Sequence, residues 1–248
     1  MNKKTCLPVR QAIRTIAWVG IFSIAMAFLE TAIVIYLRKL YYPEGFSFPL
    51  IVIDFDIAVT EFLRELATLV MLAGIGVIAG KKNIERFAYF IFSFAVWDIF
   101  YYAFLKVILN WPESFLTWDI LFLIPTVWVG PVLAPLINSL TMILLAFCII
   151  YFVENKGKAL LNLMEWTLLI AGSVLVIFAY TREFSAFLLA KYSLPEIFDF
   201  SNKNEIIDYA CSYIPVYFNW WIFLAGELMH VVAITSVILR NKKIPAGI

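Results

Sequence analysis

The chain has 248 residues, of which 63% are apolar, 17% aromatic and only 15% charged. A soluble domain has roughly 45–50% apolar and about 25% charged residues, and a chain of this size could not bury so much apolar surface away from water. With 19 basic and 18 acidic residues the net charge is +1, so no overall field favours a nucleic-acid partner. The composition therefore indicates an integral membrane protein that has the lipid bilayer as its solvent.

Six segments are long and apolar enough to cross a bilayer as helices, which takes about 20 residues each. In chain order, the predicted spans are about 15–38, 57–80, 86–108, 130–153, 166–190 and 214–239. The predicted fold class is therefore all-α, a polytopic transmembrane helix bundle that forms a single membrane domain over residues 1–248.

The segment between the third and fourth spans, residues 111–128, is apolar but does not fit a seventh span. Its apolar run from Ile120 to Ile124 is too short to cross, and the segment contains three tryptophans. Tryptophan is enriched at the level of the lipid headgroups. We therefore expect a short interfacial or re-entrant segment here.

Lysine and arginine residues between the spans predict the orientation, because short cytoplasmic loops are rich in them. The N-terminal segment, the loops after the second and fourth spans and the C-terminal tail together contain 12 of the 19 basic residues. If the spans alternate in direction, all 12 lie on one side. Both termini are therefore predicted to be cytoplasmic, in a multi-pass protein of the cell membrane, here an inner membrane.

Ionisable side chains lie within these spans, although each costs roughly 2.5–3.5 kcal/mol on insertion scales. Counted along their helices, all of them except His230 lie at the membrane centre or outward of it, which predicts a polar pocket open to the outside. The candidate residues for binding a small solute or ion are Glu30, Glu61, Arg64, Glu65, Asp98, Tyr101, Tyr102, Asn138, Arg182, Glu183 and Glu227.

A purely structural role is the alternative interpretation of the same residues. Arg64 would pair with Glu61 or Glu30, and Arg182 with Asp98 or Glu227, as buried ion pairs that fix the helix register. The acids Glu30, Asp98 and Glu227 outnumber these two arginines, so at least one acid would hold a proton or a ligand.

Glu227 and His230 are three residues apart and share one helix face. Paired Glu-x-x-His motifs build di-metal sites in helix bundles, but this chain has one such motif and one histidine. A di-metal centre is therefore disfavoured, whereas a single metal ion held by Glu227 and His230 stays open beside a packed histidine. We expect no other cofactor.

Three functions are consistent with these patterns. The leading hypothesis is a carrier or binding subunit for a small solute or cation. The first alternative is a membrane-embedded enzyme that acts on a lipid or quinone-like substrate. Whether the protein catalyses a reaction is therefore an open question at the level of the sequence. The second is an accessory subunit that binds partner subunits in a membrane complex.

Overall fold

The computed structural model describes residues 3–156, 161–198 and 203–242. Six of its helices are long and apolar enough to span a membrane. They are α1 (Lys3–Tyr41), α2 (Phe55–Ala79), α3 (Asn83–Leu109), α4 (Leu133–Lys156), α5 (Leu163–Leu189) and α8 (Trp220–Lys242), and two short helices, α6 (Leu194–Phe198) and α7 (Lys203–Cys211), lie between α5 and α8. The prediction of a mostly helical, multi-pass membrane protein is confirmed.

A tight connection makes α2 and α3 neighbours. Gly80 follows directly after α2, and an added Cβ atom there would lie 2.4 Å from the backbone nitrogen of Arg86, so only glycine fits. Glu85 accepts hydrogen bonds from the backbone N–H groups of Lys81 (2.8 Å) and Lys82 (3.3 Å) at the start of α3. These bonds satisfy donors that a helix start would otherwise leave without partners.

Helix α3 lies in the middle of one half of the bundle, where it packs against α1, α2 and α4. In the other half α5 and α8 pack closely together, and α8 also contacts α4. An added Cβ at Gly172 would lie 2.8 Å from the carbonyl oxygen of Gly226, and one at Gly226 would lie 2.7 Å from that of Gly172. Such small residues let membrane helices approach each other, so α4 joins a tight α5–α8 pair to the α1–α2–α3 group.

The segment between α3 and α4 contains a β-hairpin, which the all-α prediction did not include. Strand β1 (Trp118–Phe122) pairs antiparallel with β2 (Trp128–Pro131), with Asp119 opposite Gly130 and a bulge before Phe122. Pairing satisfies the backbone groups of an apolar run that is too short to form a spanning helix. Whether residues 111–128 lie in the interface or re-enter the membrane stays a prediction.

The fourth and sixth spanning helices begin later than predicted. Helix α4 begins at Leu133 rather than near residue 130, because residues 128–131 form β2. Helix α8 begins at Trp220 rather than near residue 214. Pro215 disfavours a helix there, and the side chain of Asn219 accepts a hydrogen bond from the N–H of Ile222 (3.3 Å), which is typical of a helix cap.

Candidate functional site

A cavity of about 350 Å³ lies among α1, α2 and α3 and is also lined by β1, the loop after α1, and α7. Its volume falls in the range of small-molecule pockets, which measure roughly 300–1,000 Å³. The polar residues that line it are Glu30, Arg38, Tyr41, Tyr42, Glu61, Arg64, Glu65, Asp98, Tyr101, Tyr102, Cys211 and Asp119. Five of them are carboxylic acids and two are arginines, so the lining has an excess of acids.

Arg64 connects α2 to α1 at one wall of this cavity. Its guanidinium group pairs with the Glu30 carboxylate and with Glu61, one turn away on α2, at 2.8 Å. The Thr68 hydroxyl donates a further hydrogen bond to Glu30 (3.2 Å). Because the three charged side chains are at most 15% exposed, this is a buried ion-pair network that fixes α1 against α2.

A second network closes the cavity on the side of the hairpin. Arg38 donates to the Asp119 carboxylate at 3.0 Å, and the Tyr102 hydroxyl donates to its other oxygen at 3.3 Å. The guanidinium carbon of Arg38 lies 3.8 Å from the ring centre of Trp111 and 4.5 Å from that of Phe46. Burial raises the pKa of Asp119 to about 6, although Arg38 acts in the opposite direction.

Asp98 and Glu65 differ from the other acids of the cavity, because neither has a cationic partner among the described residues. Asp98 accepts a hydrogen bond from the Ser139 hydroxyl of α4 (2.8 Å). Glu65 accepts one from the backbone N–H of Leu123, just after β1 (2.9 Å). Their carboxyl groups are thus available to a ligand.

Aromatic rings form much of the remaining wall. The Trp97 and Tyr101 rings are stacked with their centres 6.4 Å apart, and the Tyr101 and Tyr102 rings meet edge to face at 5.0 Å. The faces of such rings attract cations. Acids and aromatic rings together therefore make the cavity suited to a positively charged solute with apolar parts.

Glu227 and His230 lie outside this cavity, between α4, α5 and α8. The Glu227 carboxylate accepts a hydrogen bond from the Thr141 hydroxyl (2.7 Å), and its other oxygen lies 3.5 Å from His230 Nδ1. His230 Nε2 lies 3.3 Å from both the Ser173 hydroxyl and the Leu169 carbonyl oxygen. Both side chains are buried, and they form a second polar cluster.

The structure brings together seven of the predicted site residues in the cavity, namely Glu30, Glu61, Arg64, Glu65, Asp98, Tyr101 and Tyr102. It places Asn138, Arg182, Glu183 and Glu227 elsewhere. Arg182 forms a 3.7 Å ion pair with Glu183, and their side chains are 44% and 37% exposed. The alternative pairing of Arg182 with Asp98 or Glu227 is therefore not found, whereas Arg64 pairs with both of the acids suggested for it.

Arg38, Trp97 and Asp119 are among the cavity residues that were missed from the sequence. Arg38 lies two turns after Glu30 on the cavity face of α1. Helical periodicity could therefore have indicated that the two side chains share a face. Trp97 precedes Asp98 and resembles an ordinary membrane aromatic residue. Asp119 reaches the cavity through the hairpin, and nothing in its local sequence indicates that pairing.

A metal ion at Glu227 and His230 stays a prediction. Within residues 3–156, 161–198 and 203–242, no group of three or more histidine, cysteine, aspartate or glutamate side chains is arranged to hold a metal ion. Glu227 and His230 themselves would supply two ligands, and the neighbouring oxygen donor is the Thr141 hydroxyl.

Comparison of the chain with protein-family models, with curated proteins and with solved structures gives no match. The geometry and charge of the cavity are therefore the basis on which a function can be inferred.

Proposed function

We propose that the protein is a carrier or binding subunit for a small organic cation, which it holds in the cavity among α1, α2 and α3. The observation that carries this proposal is the excess of acids over arginines in a lining that also contains stacked aromatic rings. A neutral or anionic solute would leave that excess uncompensated, and uncompensated buried charge is costly.

Each part of the lining has a separate role in this proposal. Asp98 and Glu65 bind the cationic group, because only hydroxyl or backbone N–H donors occupy them in the structure. Trp97 and Tyr101 cover the apolar part of the solute and add cation–π attraction, about 0.5–2 kcal/mol per contact. Arg64 and Arg38 hold the helices and the hairpin in place.

The side from which the solute enters follows from the distribution of basic residues. The cavity lies near the C-terminal end of α1, whereas the predicted cytoplasmic residues cluster at the N-terminal end of α1 and the C-terminal end of α8. If this basic end is cytoplasmic, the cavity faces outward and takes up its solute from outside the cell.

The test is binding to purified protein in detergent micelles. We would titrate methylammonium, choline, spermidine and arginine, with acetate as an anionic and glucose as an uncharged comparison. Binding is followed by the heat released and by tryptophan fluorescence. At least one cation should bind, and Asp98→Asn and Glu65→Gln should weaken that binding. Glu183→Gln is the matched control, because Glu183 is an acid of a spanning helix that does not line the cavity. No binding of any cation by folded protein, or equal binding by Asp98→Asn, would contradict the proposal.

A membrane-embedded enzyme for a lipid-like substrate is the second candidate, because the lining also contains apolar residues such as Val34, Leu37 and Leu121. In that case Asp98 or Glu65 would act as a general acid or base. Incubation with a total lipid extract, followed by mass spectrometry, separates the two functions. Chemical change of a lipid that depends on Asp98 would favour the enzyme.

A further inference from the structure

The polar cluster around Glu227 and His230 reaches the outer surface of the bundle through one hydroxyl group. Ser173 of α5 is exposed, whereas the His230 ring beside it is buried. The Ser173 Oγ atom lies 3.3 Å from His230 Nε2 and donates a hydrogen bond to the Leu169 carbonyl (2.9 Å). On the other side of the ring, His230 Nδ1 lies 3.5 Å from Glu227 Oε1. A hydroxyl, an imidazole and a carboxyl group thus follow one another in the order found in serine hydrolases.

The Glu227 carboxyl group favours the form of His230 that can act as a base. Its Oε2 atom accepts a hydrogen bond from Thr141 (2.7 Å), whereas its Oε1 atom is buried without a hydrogen-bond partner among the described residues. Such an unpaired acceptor costs free energy, and a proton on His230 Nδ1 offers it a donor. The Nε2 atom then keeps its lone pair and can accept the proton of the Ser173 hydroxyl.

Two glycines bring these three side chains together. An added Cβ at Gly172 would lie 2.7 Å from His230 Nε2, so only glycine lets the ring lie against α5. An added Cβ at Gly226 would lie 2.7 Å from the Gly172 carbonyl oxygen, so the two helices also touch through their backbones. Each glycine directly precedes a member of the cluster, Ser173 or Glu227. The tight α5–α8 contact therefore sets the distance from the hydroxyl to the imidazole.

The surroundings of Ser173 indicate which substrate can reach it. Its neighbours Ile170 and Val174 are 60% and 59% exposed, and such an apolar surface on a spanning helix faces lipid. Ser173 is the eleventh of the 27 residues of α5. For a helix of about 40 Å centred in a hydrocarbon core of about 30 Å, this places it roughly 10 Å inside the core. A charged headgroup resists transfer to that depth, whereas an ester without a charged headgroup can dissolve there.

We propose that Ser173, His230 and Glu227 form a catalytic group that hydrolyses neutral lipid esters, such as triacylglycerols or wax esters, which enter from the bilayer. Ser173 Oγ attacks the carbonyl carbon while its proton passes to His230 Nε2. The bond from the carbonyl carbon to the alcohol oxygen breaks, the alcohol leaves with that proton, and the acyl group stays on Ser173. Water then attacks the acyl carbon and gives a proton to Nε2. The fatty acid leaves as that proton returns to Ser173 Oγ.

Ser173 and His230 touch the reacting atoms in this scheme, whereas Glu227 is a positioning residue that orients the ring. The site is separate from the cavity and does not rest on the proposed binding of a cation. Backbone N–H groups inside α5 are already bonded within the helix, so they do not stabilise the negative charge that develops on the carbonyl oxygen. Turnover should therefore be slow, and covalent labelling is the more sensitive test.

The test is reaction of the purified protein in detergent micelles with hexadecyl fluorophosphonate. Attack by Ser173 forms an oxygen–phosphorus bond and expels fluoride, while the hydroxyl proton passes to His230. Mass spectrometry should find the label on Ser173, and Ser173→Ala should abolish it. His230→Ala should slow labelling by about a hundredfold or more, the lower range for losing a general base. Thr167→Ala is the matched control and should label like wild type, because the exposed Thr167 hydroxyl bonds to the Leu163 carbonyl (2.8 Å) and not to His230.

A double variant tests the positioning role of Glu227. Glu227→Gln should slow labelling by about tenfold or more, because the ring is no longer held in the right tautomer. In protein that already carries His230→Ala, Glu227→Gln should have no further effect, because Glu227 acts through the histidine. A merely structural role would slow labelling in both backgrounds, and that result would overturn the assignment of Glu227.

Two esters with the same acyl chains test the substrate class. Fatty acid should be released from trioleoylglycerol in a reaction that requires Ser173, and not from dioleoylphosphatidylcholine. Release from the phospholipid alone, or from neither ester, would overturn the substrate class. Folded wild-type protein without label on Ser173, or equal labelling of folded His230→Ala, would overturn the catalytic group. Thermal unfolding identifies folded variants, and if His230→Ala does not fold, label on Thr167 as well as Ser173 in wild type would overturn it instead.

Discussion

Replacing Arg64 by methionine tests whether the Arg64 network holds the cavity together. In the structure this guanidinium group pairs with Glu30 and Glu61, whose side chains are 9% and 12% exposed. The substitution would leave two buried carboxylates without a cation. Removal of one member of a buried ion pair costs about 3–5 kcal/mol, a large part of a total stability of roughly 5–15 kcal/mol. We expect Arg64→Met to lower the free energy of unfolding by that amount.

The assay is denaturant and thermal unfolding in detergent, followed by tryptophan fluorescence. Combining Arg64→Met with Glu30→Gln and Glu61→Gln removes every charge of the network and should recover most of the loss, because neutral replacement of a whole buried network is often harmless. Arg182→Met is the matched control. Its ion pair with Glu183 is long and half exposed, so its loss should cost at most about 1 kcal/mol.

Two results would refute this reasoning. The first is a stability of Arg64→Met within about 1 kcal/mol of wild type, the level of a surface ion pair. The second is a triple variant no more stable than Arg64→Met, which would mean that the lost packing of the arginine, rather than the orphaned acids, accounts for the effect.

Three further predictions concern other parts of the molecule. Glu227→Gln should change the free energy of unfolding by less than about 1.5 kcal/mol, because glutamine still accepts the Thr141 hydrogen bond and no arginine loses a partner; a loss of several kcal/mol in detergent would contradict this. Gly172→Ala should destabilise the α5–α8 pair by about 1–3 kcal/mol, since the new Cβ would lie 2.8 Å from the Gly226 carbonyl oxygen, and an unchanged melting temperature would refute that packing. For Asp119, burial raises the pKa from 3.8 to about 6, so the folded state binds this proton more tightly than the unfolded state. The stabilisation that this bound proton gives the folded state should therefore be complete below about pH 4 and lost as the pH rises through about 6. Asp119→Asn should remove that part of the pH dependence of unfolding.

The six spans could be predicted from the sequence because bilayer thickness fixes the length of an apolar helix. Some acids of the cavity could also be predicted, because the bilayer restricts where a charged side chain can lie. An ionisable group in a membrane span rarely faces lipid, so Glu30, Glu65 and Asp98 had to face protein or a cavity. These inferences need only the depth of a residue along its own helix.

The structure differs from the expected arrangement where the direction around the helix axis decides which side chains meet. Asn138 and Ser139 are neighbours at the same depth, but one residue corresponds to a rotation of about 100°, and it is Ser139 that reaches Asp98. Arg182 and Glu183 were placed correctly on α5, yet they pair with each other on a partly exposed face. Asp119 depends on the pairing of β1 with β2, and such pairing between separate segments is not visible in local sequence.

The buried acids around the cavity and at Glu227 fall into two groups according to their partners. Glu30, Glu61 and Asp119 pair with arginines, and these ion pairs connect α1 to α2 and to the hairpin. Asp98 and Glu227 instead accept hydrogen bonds from Ser139 and Thr141, two residues apart on α4. The first group is therefore suited to holding α1, α2 and the hairpin around a solute. The second group has no lysine or arginine partner among the described residues, and α4 connects the cavity acid to the interior acid.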